Sequence, residues 1–274
     1  MTADVERSSA PILCILTRPE TTLASIAAAT LLSQRLKGPQ VDLLHPRPDV
    51  DPDFMPTEEV MTADRLRTFE AHRDTIYRQL ADLAVSARAG PVRQVRGQVR
   101  EIVAAEAAKA WFVVAGATGQ HGHPEAKHAV EAALFDARAP LLLVPSSVPT
   151  VLGGNIAVAW ERSQAADEAV QTALPLLLSA DHVAILVAEE HHARADLPQG
   201  IVETLRQGGR GSSICHSGLA GRDVGDAILA EARTVGADLL VMGAFTHLRT
   251  LEALFGGATR EVMAGADLPL LLHH

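Results

Sequence analysis

The stretch DLLVMGAFTHLRTLEALFGGATREVMAGADLPLLLHH, residues 238–274, decides the fold. It opens with the apolar run 239–242, which Gly243 closes, and it ends with a second apolar run, 268–272. Short apolar runs of this kind are typical of strands that are buried in a parallel sheet. We therefore expect a buried strand at each end of the stretch.

Two helical segments lie between these strands. Residues 248–255 carry apolar side chains at helical spacing, and 258–265 follows the pair Gly256-Gly257. Glycines let the backbone turn with positive φ and approach a ligand closely, and a helix that starts beside them leaves N–H groups free to receive a phosphate. The same glycines are also typical of turns that serve the fold alone. Both interpretations stay open.

Strands and helices alternate along the rest of the chain. The predicted strands cover residues 11–17, 40–45, 92–95, 112–115, 141–144, 156–160, 183–187, 212–215, 239–242 and 268–272. The predicted helices cover residues 21–36, 57–90, 99–110, 129–135, 163–178, 191–206 (in part), 224–235, 248–255 and 258–265. This alternation predicts parallel sheets with helices on both faces.

The pattern occurs twice. VVAGATG at 113–119 matches VMGAFTH at 241–247. EAALF at 131–135 matches LEALF at 251–255, and PLLLV at 140–144 matches PLLLH at 269–273. Between the halves lies the linker SSVPTVLGG, residues 146–154, which is rich in small residues. The repeat predicts two copies of one α/β domain, residues 1–147 and 154–274.

The copies differ before their last strand. The second half has the double glycine and its helix there, whereas in the first half Phe135 leads through Asp136 directly to the strand. We expect the first half to lack a helix N-terminus at this place and Asp136 to repel an anion. Its first strand ends in Leu16-Thr17-Arg18, without a carboxylate for a ribose. The first half is therefore predicted not to bind a ligand.

The composition excludes several functions. The formal net charge is −9, whereas a nucleic-acid binder needs a basic face. No apolar run is long enough for a membrane span or a signal peptide, so we expect a cytoplasmic protein without a membrane partner. No lysine lies beyond residue 150. A phosphate in the second half would therefore be held by backbone N–H groups or arginines.

Motifs for catalysis and for metal binding are absent from the sequence. There is no GxSxG, no Cys-His signature and no GxxxxGK[ST] loop. His121, His123, His128 and the pair His191-His192 have no cysteine or carboxylate cluster at ligand spacing, so we interpret them as surface residues. We predict a non-catalytic protein without a metal site.

The stretch 239–274 resembles the universal stress protein family. Many members bind ATP through a Gly, two residues, a Gly, nine residues, then Gly and Ser or Thr. Here Gly243, Thr246, Gly256 and Gly257 stand at those four places, with the spacing kept and with Thr246 and Gly257 as departures. The resemblance covers nearly the whole chain, as a tandem two-domain type. It implies an adenine-nucleotide alpha-hydrolase-like fold, with five strands in the order 3-2-1-4-5 in each half.

The resemblance also implies a site in the second half, for ATP or another adenine nucleotide, with Mg²⁺ only as a companion of ATP. The implied cofactor-binding residues are Glu161, Val187, Gly243, Thr246, His247, Arg249, Gly256, Gly257, Ala258 and Thr259. Glu161 would lie near the ribose, and the base near Val187-Ala188. Alternatively, Glu161 forms a local ion pair with Arg162.

Two functions stay open at this point. One is a stress-response module that senses an adenine nucleotide, with at most slow ATP hydrolysis, and the kept spacing favours it. The other is a ligand-free scaffold or interaction protein, which Thr246 and Gly257 favour. Single-domain relatives pair through their last strand. The resemblance therefore suggests that 141–144 and 268–272 pair within one chain as a pseudo-dimer, and it leaves a homodimer of whole chains open.

Overall fold

The computed structural model describes residues 10–49, 63–117, 123–161, 163–188, 199–217, 223–244 and 257–274. Within them the strands are β1 Ile12–Ile15, β2 Val41–Arg47, β3 Val92–Arg96, β4 Phe112–Gly116, β5 Leu141–Val144, β6 Asn155–Trp160, β7 His182–Ala188, β8 Ser213–Ser217, β9 Leu239–Gly243 and β10 Leu270–His273. The helices are α1 Pro19–Arg35, α2 Ala63–Ser86, α3 Val99–Ala107, α4 Pro124–Glu131, α5 Gln164–Ser179, α6 Gln199–Gln207, α7 Val224–Thr234 and α8 Ala258–Gly265. A π-helical segment, Ala132–Asp136, continues α4.

The strands form one sheet in the order β3-β2-β1-β4-β5-β10-β9-β6-β7-β8. Strands β1 to β5 are parallel to one another, and so are β6 to β10. The predicted order 3-2-1-4-5 is present in both groups, which confirms the α/β fold class. The groups meet at β5 and β10, which pair antiparallel with Leu142 opposite Leu271. The carboxyl ends of the two groups therefore lie at opposite edges of the sheet.

Helices cover both faces of the sheet over aliphatic cores. Residues of α1, α2, α5 and α6 pack on one face, and residues of α3, α4, α7 and α8 pack on the other. Neighbouring strand residues alternate between the faces, so that Cys14 faces the first core and Ile15 the second. No helix in the described ranges is long and apolar enough to cross a membrane.

Side chains from both halves of the chain bind the end of the linker before β6. The Asp238 carboxylate accepts hydrogen bonds from the backbone N–H groups of Gly153 (2.5 Å), Gly154 (3.0 Å) and Asn155 (3.0 Å). Arg35, at the end of α1, donates to the Leu152 carbonyl at 3.0 Å. The end of the linker is therefore fixed by side chains from both strand groups.

Helix α4 corrects one expectation. It begins at Pro124, earlier than the predicted start at residue 129, so the first half does have a helix N-terminus between its fourth and fifth strands. Proline is well suited to the first helical position because its φ is already helical. Ala126 and Ala129 are buried, at 6 % and 1 % exposure. Their packing extends the helix into a polar segment that the sequence alone places in a loop.

Candidate functional site

Strands β6 and β9 are neighbours in the sheet, and the chain adds β7 and β8 on one side of them and β10 on the other. We call the place between β6 and β9 the second-half switch point. Ligands of open α/β sheets bind beyond the carboxyl ends of the strands at such a switch point. Glu161 directly follows β6, Val187 lies near the end of β7, and Gly243 is the last residue of β9. Helix α8 begins after Gly257 at the same edge. Four predicted site residues lie outside the described part of the chain: Thr246, His247, Arg249 and Gly256.

Gly243 has a packing role. A Cβ built on Gly243 would lie 2.7 Å from the backbone carbon of Ala165 and 2.7 Å from the backbone nitrogen of Ala166. The first turn of α5 therefore approaches the end of β9 more closely than any side chain permits. Gly116 holds the same position on β4, where a Cβ would lie 2.3 Å from the Thr21 hydroxyl oxygen of α1. In both halves the glycine serves strand–helix packing.

Gly257 sets the start of α8. Its φ is +146°, a conformation that residues with a side chain rarely adopt. It is exposed, and an added Cβ would meet no atom within 4 Å. No described side chain caps this helix. Gly257 is therefore required by the backbone, and a serine there would introduce strain together with its hydroxyl.

The first turn of α8 carries small and polar residues. Ala258 and Thr259 are half-buried, and Arg260 is exposed. The Glu261 carboxylate accepts a hydrogen bond from the backbone N–H of Gly225 at 2.9 Å, which ties it to the first turn of α7. Helix α8 thus presents backbone N–H groups at its N-terminus, while its own carboxylate is directed to a neighbouring helix.

Glu161 is exposed at the end of β6. Its carbonyl accepts a hydrogen bond from the Ser163 N–H at 2.9 Å, and the Ser163 hydroxyl caps α5 by accepting from the Ala166 N–H at 3.1 Å. Arg162, with which Glu161 would form the alternative ion pair, lies outside the described residues. Val187 is half-buried beside Trp160, to which it is paired in register. Both roles of Glu161 stay predictions.

Charged side chains lie buried near the first-half switch point, between β1 and β4. Arg73 of α2 and Glu125 of α4 form an ion pair whose side chains are 2 % and 3 % exposed. The Arg73 guanidinium also lies 5.1 Å from the centre of the Phe69 ring. Glu125 stands in the first turn of α4, where the helix dipole favours a negative charge. The chain's own carboxylate thus lies at this helix N-terminus.

A second ion-pair group lies beside this one at the end of β2. Arg47 is 3 % exposed and contacts Glu70 and Asp74, two carboxylates of α2. Arg96 of β3 also reaches Glu70, at 3.1 Å. These pairs hold the part of α2 around Glu70 and Asp74 beside the carboxyl ends of β2 and β3. Arg73 is held there as a consequence.

His45 lies fully buried between these charges. Its Nδ1 is 2.8 Å from the Leu16 carbonyl, so Nδ1 carries the proton and donates in the neutral ring. Its Nε2 has no hydrogen-bond partner among the described residues. Burial lowers the pKa of His45, while the hydrogen bond to Leu16 and the charge of Glu125 act in the opposite direction. His45 is therefore a neutral core histidine.

The prediction for Asp136 is wrong. Asp136 pairs with Arg100 at 2.6 Å and ends the π-helical segment. This places it at the end of the helix opposite to Pro124, so it cannot repel an anion at the helix N-terminus. The carboxylate at the N-terminus is Glu125, which sequence reasoning missed. An acidic residue directly after a proline is a helix-start signal that could have indicated it.

Comparisons with family models and with curated proteins find no match. Among solved structures, a universal stress protein from Archaeoglobus fulgidus DSM 4304 has a TM-score of 0.71 at 15 % identity, covering 95 % of each chain. A functionally unknown protein from Pseudomonas aeruginosa PAO1 has a TM-score of 0.56 at 13 % identity, covering 98 % of this chain and 94 % of the other. A candidate universal stress protein from Pseudomonas aeruginosa UCBPP-PA14 has 0.53 at 15 % identity, covering 97 % and 94 %.

The chain has the fold of universal stress proteins over nearly its whole length. The resemblance stated from the sequence is confirmed at this level. In the described residues no group of three or more histidine, cysteine, aspartate and glutamate side chains has the arrangement of a metal site.

Proposed function

We propose that this chain is a non-catalytic stress-response protein of the universal stress protein kind, divided into residues 1–147 and 154–274, whose second half binds an adenine nucleotide such as ATP. The phosphates would lie against the first turn of α8, the ribose near Glu161 and the base near Val187. Mg²⁺ would accompany ATP only. The stress-response role rests on the shared fold.

The difference between the two helix N-termini at the switch points carries this proposal. At α4 the buried carboxylate of Glu125 occupies the helix start and is neutralised by Arg73. At α8 the residues in the first turn are Ala258 and Thr259, which leave backbone N–H groups directed at the carboxyl edge. The first-turn carboxylate of α8 in the described residues, Glu261, is hydrogen-bonded to the Gly225 N–H. A helix N-terminus whose N–H groups face no carboxylate favours a bound phosphate by about 0.3–2 kcal/mol per contact.

A charge placed at residue 259 tests the proposal. Thr259→Asp adds a carboxylate beside the proposed phosphates, and Thr259→Asn adds nearly the same volume without the charge. In titration calorimetry with ATP we expect Thr259→Asp to bind at least about tenfold more weakly than Thr259→Asn, because like charges a few ångströms apart repel. The aspartate is compatible with a first helical turn, so the fold is retained.

The alternative function is a ligand-free scaffold of the stress response. The close contact of Gly243 with α5 favours it, because that glycine is explained without a ligand. Chromatography of the supernatant from heat-denatured, freshly purified protein distinguishes the two functions. Released adenine nucleotide supports the nucleotide function. If none is released and no variant binds ATP in the calorimeter, the scaffold function is the correct one.

A further inference from the structure

The ten-stranded sheet ends in two outer strands, β3 and β8, which differ in charge. On β3, Arg93 and Arg96 are exposed and form ion pairs with Glu106 and Glu70. Charged side chains on an outer strand oppose pairing with another chain, because they would be brought beside the charges of the partner. Strand β3 is therefore protected.

Strand β8 has no such protection. Its sequence, Ser213-Ile214-Cys215-His216-Ser217, contains no aspartate, glutamate, lysine or arginine. Ser213 and His216 are exposed, Ile214 is 38 % exposed, and Cys215 is half-buried. Among the strands that the structure describes, β8 pairs only with β7. Its other side carries backbone N–H and C=O groups that a further strand can pair with.

We propose that β8 pairs antiparallel with β8 of a second copy of this chain. Two observations favour a second copy over a different partner. The sheet is already extended once by antiparallel pairing of two outer strands, at β5 and β10. In addition, the β8 sequence is nearly symmetric about Cys215, so self-pairing places Ser213 opposite Ser217 and Ile214 opposite His216. No two acidic or basic residues then face each other.

Self-pairing centred on Cys215 has a chemical consequence. Directly opposed residues of antiparallel strands have Cα atoms about 4.5–5.5 Å apart, which is within the range of a disulfide. Diamide can therefore join the two Cys215 thiols, as it takes up their two protons and two electrons and becomes a hydrazine. Cys14, the other cysteine, is fully buried and is not expected to crosslink.

The interface is small because each strand contributes five residues, and interfaces of this size are weak. We expect sedimentation velocity to show a monomer–dimer equilibrium whose dissociation constant lies in the micromolar range. Ile214→Lys should raise that constant at least tenfold, because it places an ammonium in the centre of the pairing. His216→Lys, at an exposed position, tests the same contact without any demand on the core.

The matched control is Val85→Lys, an equal change at a 76 % exposed position of α2, which should leave the dissociation constant unchanged. Diamide should crosslink wild type in its dimer-forming range, and Cys215→Ser should abolish the crosslink. A wild type that is monomeric up to about 200 µM overturns the proposal. A dimer that both lysine variants leave intact also overturns it.

Discussion

The two switch points are built on the same strand order, and they differ in what stands at the start of the helix before the last strand. In the first half, α4 and its π-helical continuation span Pro124–Asp136, and Glu125 at the N-terminus is paired with Arg73. In the second half, α8 spans only Ala258–Gly265. Both helices end four residues before the next strand, so the extra length of α4 lies at its N-terminus.

This difference bears on the anion site that is proposed for the second half. The additional residues at the start of α4 include Glu125, which forms its ion pair with Arg73 of α2. Under the proposed function, Glu125 has in the first half the place that a phosphate would have in the second. In the described residues, α4 has a buried first-turn carboxylate that is paired with Arg73, whereas the first-turn carboxylate of α8, Glu261, is hydrogen-bonded to the Gly225 N–H.

The largest effect is expected from Arg73→Met. It leaves the Glu125 carboxylate buried without its cation, which costs about 3–5 kcal/mol in free energy of unfolding. Urea denaturation measures this. Arg18→Met is the matched control, since it breaks an ion pair with Glu20 whose side chains are 38 % and 64 % exposed, and it should cost less than about 1 kcal/mol. An equal loss of unfolding free energy in both variants would show that the buried Arg73–Glu125 pair contributes no more than an exposed ion pair.

A smaller effect is expected from Gly243→Ala. Its new methyl group would overlap the backbone of α5, which should destabilise the fold by about 1–3 kcal/mol. Gly116→Ala should lose a comparable amount in the first half. Gly211→Ala, where an added Cβ meets no atom within 4 Å, serves as the control in thermal denaturation. A Gly243→Ala variant as stable as Gly211→Ala would contradict the packing role of Gly243.

The smallest effect is expected from acidification around His45. Burial lowers the pKa of His45 in the folded chain below its ordinary value of 6.5. The unfolded chain then binds the proton first, so stability falls as the pH drops below 6.5 and stops falling below the folded pKa. The contribution is at most about 1.4 kcal/mol per pH unit. His45→Gln keeps a side-chain donor for the Leu16 carbonyl and should show a shallower loss between pH 7 and 5. An unchanged slope would assign the acid sensitivity to other groups.

Much of the fold could be predicted because the strands are short apolar runs bounded by glycine, proline or charge. The start of α4 could not be predicted, because residues 124–128 are polar enough for a loop and become helical only where Ala126 and Ala129 pack. The Arg73–Glu125 pair could not be predicted either. Its two residues lie far apart in the sequence, and they meet only because the fold brings α2 and α4 together. The spacing assigned Gly243 to a phosphate loop or a turn, and it could not show that the backbone of α5 approaches this glycine.

The antiparallel junction of β5 and β10 has a consequence for how the chain melts. Leu142 and Leu271 belong to one core, while Leu141 and Leu270 belong to the other, so both cores are continuous across the junction. If one half unfolded alone, it would expose the last strand of the other half along its full hydrogen-bonding edge. Heating should therefore produce a single calorimetric transition. Its van't Hoff enthalpy should equal the calorimetric enthalpy measured for the whole chain.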